Sequence, residues 1–252
     1  MIDFKKYKRF FAFGCSMTSY GWPTWADIIA QEIPESYNYA QSGAGNLFIA
    51  SQVVEANVRH KFNETDLVMV MWSSIAREDR WLKGQWLTPG NIYTQNFYDE
   101  KFIDQFSDCK GYLIRDMAII TMCKGLLDNL KIDYHMMSMS PFIYMQFSSP
   151  NQKFDNGEDV LEFYRDTLSS IKPDILTVEC NGRWPQHPIK KTGGQTADYH
   201  PSPVQHFNYL NKIFPELQWS SSTLEFVGIE QAHMEKLRNF DDMIFKTPPT
   251  RI

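Results

Sequence analysis

The sequence predicts an α/β protein, a three-layer sandwich with a mainly parallel central sheet. Three observations carry that expectation. Apolar runs of strand length alternate along the chain with longer segments of helical periodicity, the order that builds parallel sheets covered by helices. The strongest run, Leu67-Val68-Met69-Val70-Met71-Trp72, is apolar at every position, as a strand buried on both faces must be. No internal repeat or low-complexity stretch points to a solenoid or a disordered chain.

Taken in order, Phe10-Phe11-Ala12-Phe13 reads as a first buried strand that stops at Gly14, where the backbone can turn sharply because no side chain is there to clash. Ser16 then stands at the strand's C-terminal end, the edge at which open α/β sheets bind ligands. A helix starting just beyond the turn is expected to aim its free N–H groups at the same spot. Gly21-Trp22-Pro23 signals a turn with Pro23 at the first helical position, and Trp25, Ile28, Ile29 and Ile33 recur at helical spacing as far as Pro34. Tyr37 to Ala40 is a second short strand, Gln41 to Asn46 a small-residue loop, and about Leu47 to Phe62 a helix.

The Leu67 to Trp72 strand ends at Ser73-Ser74. From about 76 to 110 the chain is rich in Trp, Tyr, Asn, Gly and Pro without periodicity, and so long an excursion usually has a functional role, here as a lid or substrate-side wall. Tyr112 to Leu130 is an amphipathic helix and Tyr134 to Met139 a fourth strand. Pro150 to Asp159 reads as a polar loop, Val160 to Ile171 as a helix, and Ile175 to Val178 as either a short strand or part of a loop. Gly182 to Thr196 is irregular, Pro201 to Phe214 and Glu225 to Asn239 are helices, and the tail from Lys246 is loose.

With 252 residues, the chain is expected to form one domain over 1–252, large enough to bury a core without metals or disulfides. Lys and Arg number 25 against 30 Asp and Glu, so no basic field exists to hold nucleic acid. No apolar run approaches the ~20 residues of a membrane span, and the one that follows the basic N-terminus is too short for a secretory signal. The four cysteines are scattered without a C-x-x-C pair, which indicates neither a disulfide framework nor a zinc site. A cytoplasmic location without cofactor or metal is the expectation.

A serine nucleophile needs a general base within hydrogen-bond reach and a carboxylate to orient that base. Asp198-Tyr199-His200-Pro201 is the compact candidate: in an extended segment, residues two apart point to one side, so Asp198 can support His200 while the other ring nitrogen faces Ser16. His60, His135, His187, His206 and His233 lack such a carboxylate, and His206 reads as a structural cap on its helix.

These blocks in this order, Phe13-Gly14-Cys15-Ser16, a glycine-bearing loop at Gly43 to Asn46, a strand ending at Trp72-Ser73-Ser74, and Asp198-x-His200-Pro201, resemble those of the SGNH (GDSL-like) hydrolases, over nearly the whole chain. The resemblance implies a flavodoxin-like sandwich in which Ser16 is the nucleophile, His200 the base and Asp198 its orienter. It implies an oxyanion hole built from the Ser16 N–H and from Gly43 or Gly45. Cys15 stands where the family usually has aspartate, and one residue rather than two separates Asp198 from His200. Ser73-Ser74 replaces the family's Gly-x-Asn-Asp, which leaves Asn46, Ser73, Ser74 or Arg77 to supply the third donor.

Arg77 is further expected to hold a polar or anionic substrate group, and Trp72, Trp81, Trp86 and Tyr93 invite a sugar-stacking role. The function so implied is a serine esterase acting on a small-molecule or glycan ester, with O-acylated carbohydrate to be tried first. The alternative is a weak or inactive SGNH-like domain that binds a glycan or a protein partner. A phosphate loop at Ser42 to Asn46 is a third reading, without the P-loop lysine or a full G-x-G-x-x-G.

Overall fold

Apolar runs too short to form a helix find their hydrogen-bond partners in one another. The computed structural model describes residues 2–93, 97–143, 157–190 and 197–243. Its strands are β1 (Arg9–Phe13), β2 (Glu35–Asn38), β3 (Asp66–Trp72), the short pair β4 (Arg80–Leu82) and β5 (Gln85–Leu87), and β6 (Asp133–Ser138). Four of them form one parallel sheet in the order β2-β1-β3-β6. All seven residues of β3 are buried, which explains the unbroken apolar run.

Neighbouring residues of a strand point to opposite faces, and β1 shows what covers each. Phe10 meets Trp25 of α1 (Trp25–Ile29), with ring centroids 6.3 Å apart. Phe11 meets His60, the last residue of α2 (Asn46–His60), and Phe62 at 5.1 and 4.7 Å. Helices therefore lie on both faces and make three layers. On one side α2 packs against α4 (Cys109–Leu130), which in turn meets α5 (Gly157–Phe163) and α6 (Arg165–Ser169). On the other, α1 packs with α8 (Pro203–Ile213) and α9 (Ser221–Lys236). Each fully buried large side chain of this core, Trp25, Phe10, Phe11 and Phe48 among them, contributes roughly 2–3 kcal/mol by leaving water.

Several local expectations are corrected. Thr24, not Pro23, opens α1: its hydroxyl caps the helix while Asp27 bonds back to the Thr24 N–H. Ile175–Val178 is neither strand nor loop but a helical turn, α7, because the Asp174 side chain accepts from the Thr177 N–H and nucleates it. The helix expected over 160–171 breaks at Tyr164 into α5 and α6. Ser202, with Gln205 reciprocating, caps α8, so His206 is an interior helix residue and not a cap.

The 76–110 excursion has structure of its own, the antiparallel β4/β5 hairpin and helix α3 (Glu100–Phe106). The loose tail from Lys246, and most of the polar loop expected at 150–159, lie outside the described residues. Among the described residues no helix is long and apolar enough to cross a membrane.

From β1 the chain first steps to β2 on one side and then returns to β3 on the other. The C-terminal ends of β1 and β3 thus flank a topological switch point, where a crevice opens between diverging connections. Gly14 to Ser16 and Ser73 to Arg77 leave the sheet there.

Candidate active site

Gly14 is required by close approach. A Cβ there would lie 2.0 Å from Thr18 Oγ1, so the turn that presents Ser16 closes only without a side chain. The Cys15 carbonyl accepts from the Thr18 and Ser19 N–H groups, and Thr18 Oγ1 accepts from the Trp25 indole, which pins the turn to the core. The expected helix does not begin at this turn: α1 starts only at Trp25.

Ser16, His200 and Asp198 come together. His200 Nε2 is 2.9 Å from Ser16 Oγ, and His200 Nδ1 is 2.9 Å from Asp198 Oδ1. Asp198 is fully buried, and its Oδ1 also accepts from the His200 N–H. A carboxylate only accepts, so the ring proton sits on Nδ1 and Nε2 offers its lone pair to the serine hydroxyl. Two backbone bonds of 2.8 Å between His187 and Asp198 fix this segment, and the Trp22 indole donates to the Pro201 carbonyl.

Tyr20 is the residue that sequence reasoning missed. Its hydroxyl donates to Asp198 Oδ2 and its ring stacks on the His200 imidazole, with centroids 3.7 Å apart. Burial, then the Asp198 charge, push the phenol pKa upward, so Tyr20 stays protonated and remains a donor. Nothing in the sequence separates it from the core aromatics around it. His206 is also buried near His200; desolvation, then the charge of His200, bring its pKa down to about 3, which keeps it neutral.

The expected oxyanion donors fare differently. The Gly45 N–H donates to Asp79 Oδ1 at 2.8 Å and the Phe48 N–H to Asp79 Oδ2 at 2.9 Å. Asp79 therefore caps α2 from another loop, since Gly45 in the N-cap position has no side chain to do so. Asn46 is fully buried; its Oδ1 accepts from the Ser73 N–H, and its Nδ2 donates to the Ser73 carbonyl and to Asp116. Burial pushes the Asp116 pKa up to about 6, against the opposing pull of Arg115 and Asn46.

The N–H groups of Gly45, Asn46 and Ser73 named for the oxyanion hole are thus committed to holding loops together. Gly43 has φ +76°, and a Cβ there would lie 2.1 Å from the Thr88 carbonyl, so this position demands glycine. Among the described residues, the Gly43 and Ser16 N–H groups donate to no protein acceptor.

Trp72 is fully buried at the end of β3 and offers no surface on which a substrate could stack, which corrects its expected contact role. Of the other aromatics, Trp81 is exposed, Trp86 packs edge-on against Phe48, and the Tyr93 hydroxyl bonds to Cys109. Arg77 is buried, with Nε on Ser74 Oγ at 3.2 Å and Nη1 on the Ala44 carbonyl at 2.9 Å. Among the described residues no cluster of His, Cys, Asp and Glu is placed to hold a metal ion. No protein-family model matches this chain, and no curated protein matches it.

Proposed function

We propose that the protein is a serine esterase working through an acyl-enzyme on Ser16, in the manner of the SGNH hydrolases its sequence blocks resemble. The observation that carries this reading is the unbroken relay Ser16 Oγ, His200 Nε2, His200 Nδ1 and Asp198 Oδ1 at the switch point of the sheet. As Ser16 Oγ bonds to the ester carbonyl carbon, its proton passes to His200 Nε2 and the carbonyl π pair moves onto oxygen. Asp198 faces the imidazolium so formed and stabilises it without taking its proton. The alkoxide collapses, the bond to the leaving alcohol breaks, and that oxygen takes the proton from His200. Water then repeats the sequence: it loses a proton to His200, attacks the acyl carbon, and Ser16 leaves with its proton restored while the acid departs.

The exposed Trp81, within the 76–110 excursion, keeps glycan esters among the substrates to try, together with small-molecule esters. The test is hydrolysis of p-nitrophenyl acetate and labelling by a fluorophosphonate. Wild-type protein should turn over and take the label, and Ser16→Ala should lose the label and at least about 10³-fold in kcat. Equal activity in Ser16→Ala would reject the nucleophile. The second reading, a weak or inactive domain that binds a glycan or protein, is favoured by the inward commitment of the expected donors. Wild-type protein that neither turns over nor reacts with the probe would select it.

A further inference from the structure

Beside Ser16 lies a corner of the molecule with more hydrogen-bond donors than acceptors. Arg77 Nη2, Ser73 Oγ and Cys15 Sγ all converge on one thioether, Met139 Sδ, at 3.8, 3.5 and 3.7 Å. The next residue, Ser140, has a buried hydroxyl with no partner among the described residues. A thioether is a weak acceptor, and buried guanidinium and hydroxyl donors ordinarily find oxygen. Arg77 has 9% of its surface exposed and, among the described residues, makes no ion pair and offers its Nη2 only to this sulfur. The residue before it, Ala76, is held at φ 62°, a left-handed conformation costly for a residue with a Cβ and of the kind that collects at functional sites.

The guanidinium is tied to the chain neighbours of both N–H groups that donate to no protein acceptor. Nη1 holds the carbonyl of Ala44, next to Gly43, and Nη2 shares Met139 Sδ with Cys15, next to Ser16. It also follows β3, from whose end the SGNH pattern takes its third donor.

We propose that Arg77 is the third oxyanion donor, its Nη2 moving from Met139 Sδ to the alkoxide oxygen that forms as Ser16 adds to the ester carbonyl. The proposal rests on the esterase reading above. A cationic donor there interacts far more strongly with the developing negative charge than with the neutral ester, so it acts on kcat rather than on KM. Met139 is unbranched and flexible, suited to give way when a better acceptor arrives.

The test compares wild type, Arg77→Met and Arg77→Lys with p-nitrophenyl acetate and with phenylboronic acid, whose serine adduct carries oxygen where the alkoxide would be. Arg77→Met is expected to lose about 10²–10³-fold in kcat with KM changed less than about threefold, and to weaken boronate inhibition in proportion. Guanidinium ion added to Arg77→Ala should restore part of the loss without shifting the melting curve. Unchanged kcat, or a rise in KM alone with boronate affinity intact, would overturn the proposal, the latter by making Arg77 a ground-state substrate contact.

Should Arg77→Met not fold, Arg77→Lys decides. One ammonium cannot both hold Ala44 and reach the alkoxide, so a folded Arg77→Lys protein should lose about tenfold or more in kcat, whereas wild-type kcat would refute the role. Wild-type protein inert to both ester and fluorophosphonate would fail the esterase reading itself, and Arg77 with it, before any variant is compared.

Discussion

The two sides of the Ser16 crevice use similar polar groups to opposite ends. On the side of the C-terminal loop, Tyr20, Asp198 and His200 are linked so that each bond leads toward Ser16 Oγ. On the side of β3, Gly45, Asn46, Ser73, Asp79 and Asp116 bond to one another, and their polar groups hold the start of α2 to the loop after the strand. A donor held by a strong oxygen acceptor in the resting protein gains little when charge develops on a substrate, because that bond must first be given up. Position within a crevice is therefore a poorer guide to chemistry than the question of where each N–H already points.

The contrast can be broken most sharply at Asn46. Asn46→Ala removes the bonds to both Ser73 backbone groups and to Asp116, and should cost roughly 2–4 kcal/mol of stability by denaturant titration. Turnover per folded molecule should change less than about threefold. A fall of about 10²-fold in kcat at unchanged stability would put Asn46 back among the catalytic donors. On the other side, Tyr20→Phe keeps the ring over His200 and deletes only the hydroxyl on Asp198. Its kcat/KM should fall by about tenfold, the worth of one buried hydrogen bond to a charged group, while Tyr20→Leu, which also loses the stacking, should fall further. Wild-type kcat/KM in both would show that Tyr20 only packs.

The remaining effect concerns pH. Burial lifts the Asp116 pKa from 3.8 to about 6, so between those values the folded protein holds a proton that the unfolded chain has released. The stability so contributed is complete below the unfolded value and is lost as pH rises through about 6. Asp116→Asn does not titrate, so its stability relative to wild type should climb across that window by up to roughly 3 kcal/mol and then level off. A constant difference would mean that Arg115 keeps Asp116 ionised throughout.

The parts of this architecture that were legible in sequence are those where one physical signal dominates. β3 is apolar at every residue after Asp66 because both of its faces are covered, and α2 and α4 carry their periodicity over several turns. Ile175-Leu176-Thr177-Val178 is too short for periodicity to distinguish strand from helix, and the deciding feature is Asp174 before it. Ser16, Asp198 and His200 were legible as a group because serine, aspartate and histidine are distinctive residue types, and the fold brings these three within hydrogen-bond reach. The donors were not. Any residue but proline carries an N–H, and only the folded chain decides that the Gly45 N–H meets Asp79 while the Gly43 N–H does not.

One feature of the excursion bears on how such a protein can diversify. Arg77 and Asn91 pair across its base, and the Ile92 N–H donates to the Ala76 carbonyl at 3.0 Å. The chain between them, including the β4/β5 hairpin and the exposed Trp81, leaves and re-enters the body at a closed neck. Evolution or an engineer can therefore exchange the hairpin's tip as a cassette, leaving the residues that anchor the neck, Arg77 and the helix-capping Asp79, in place.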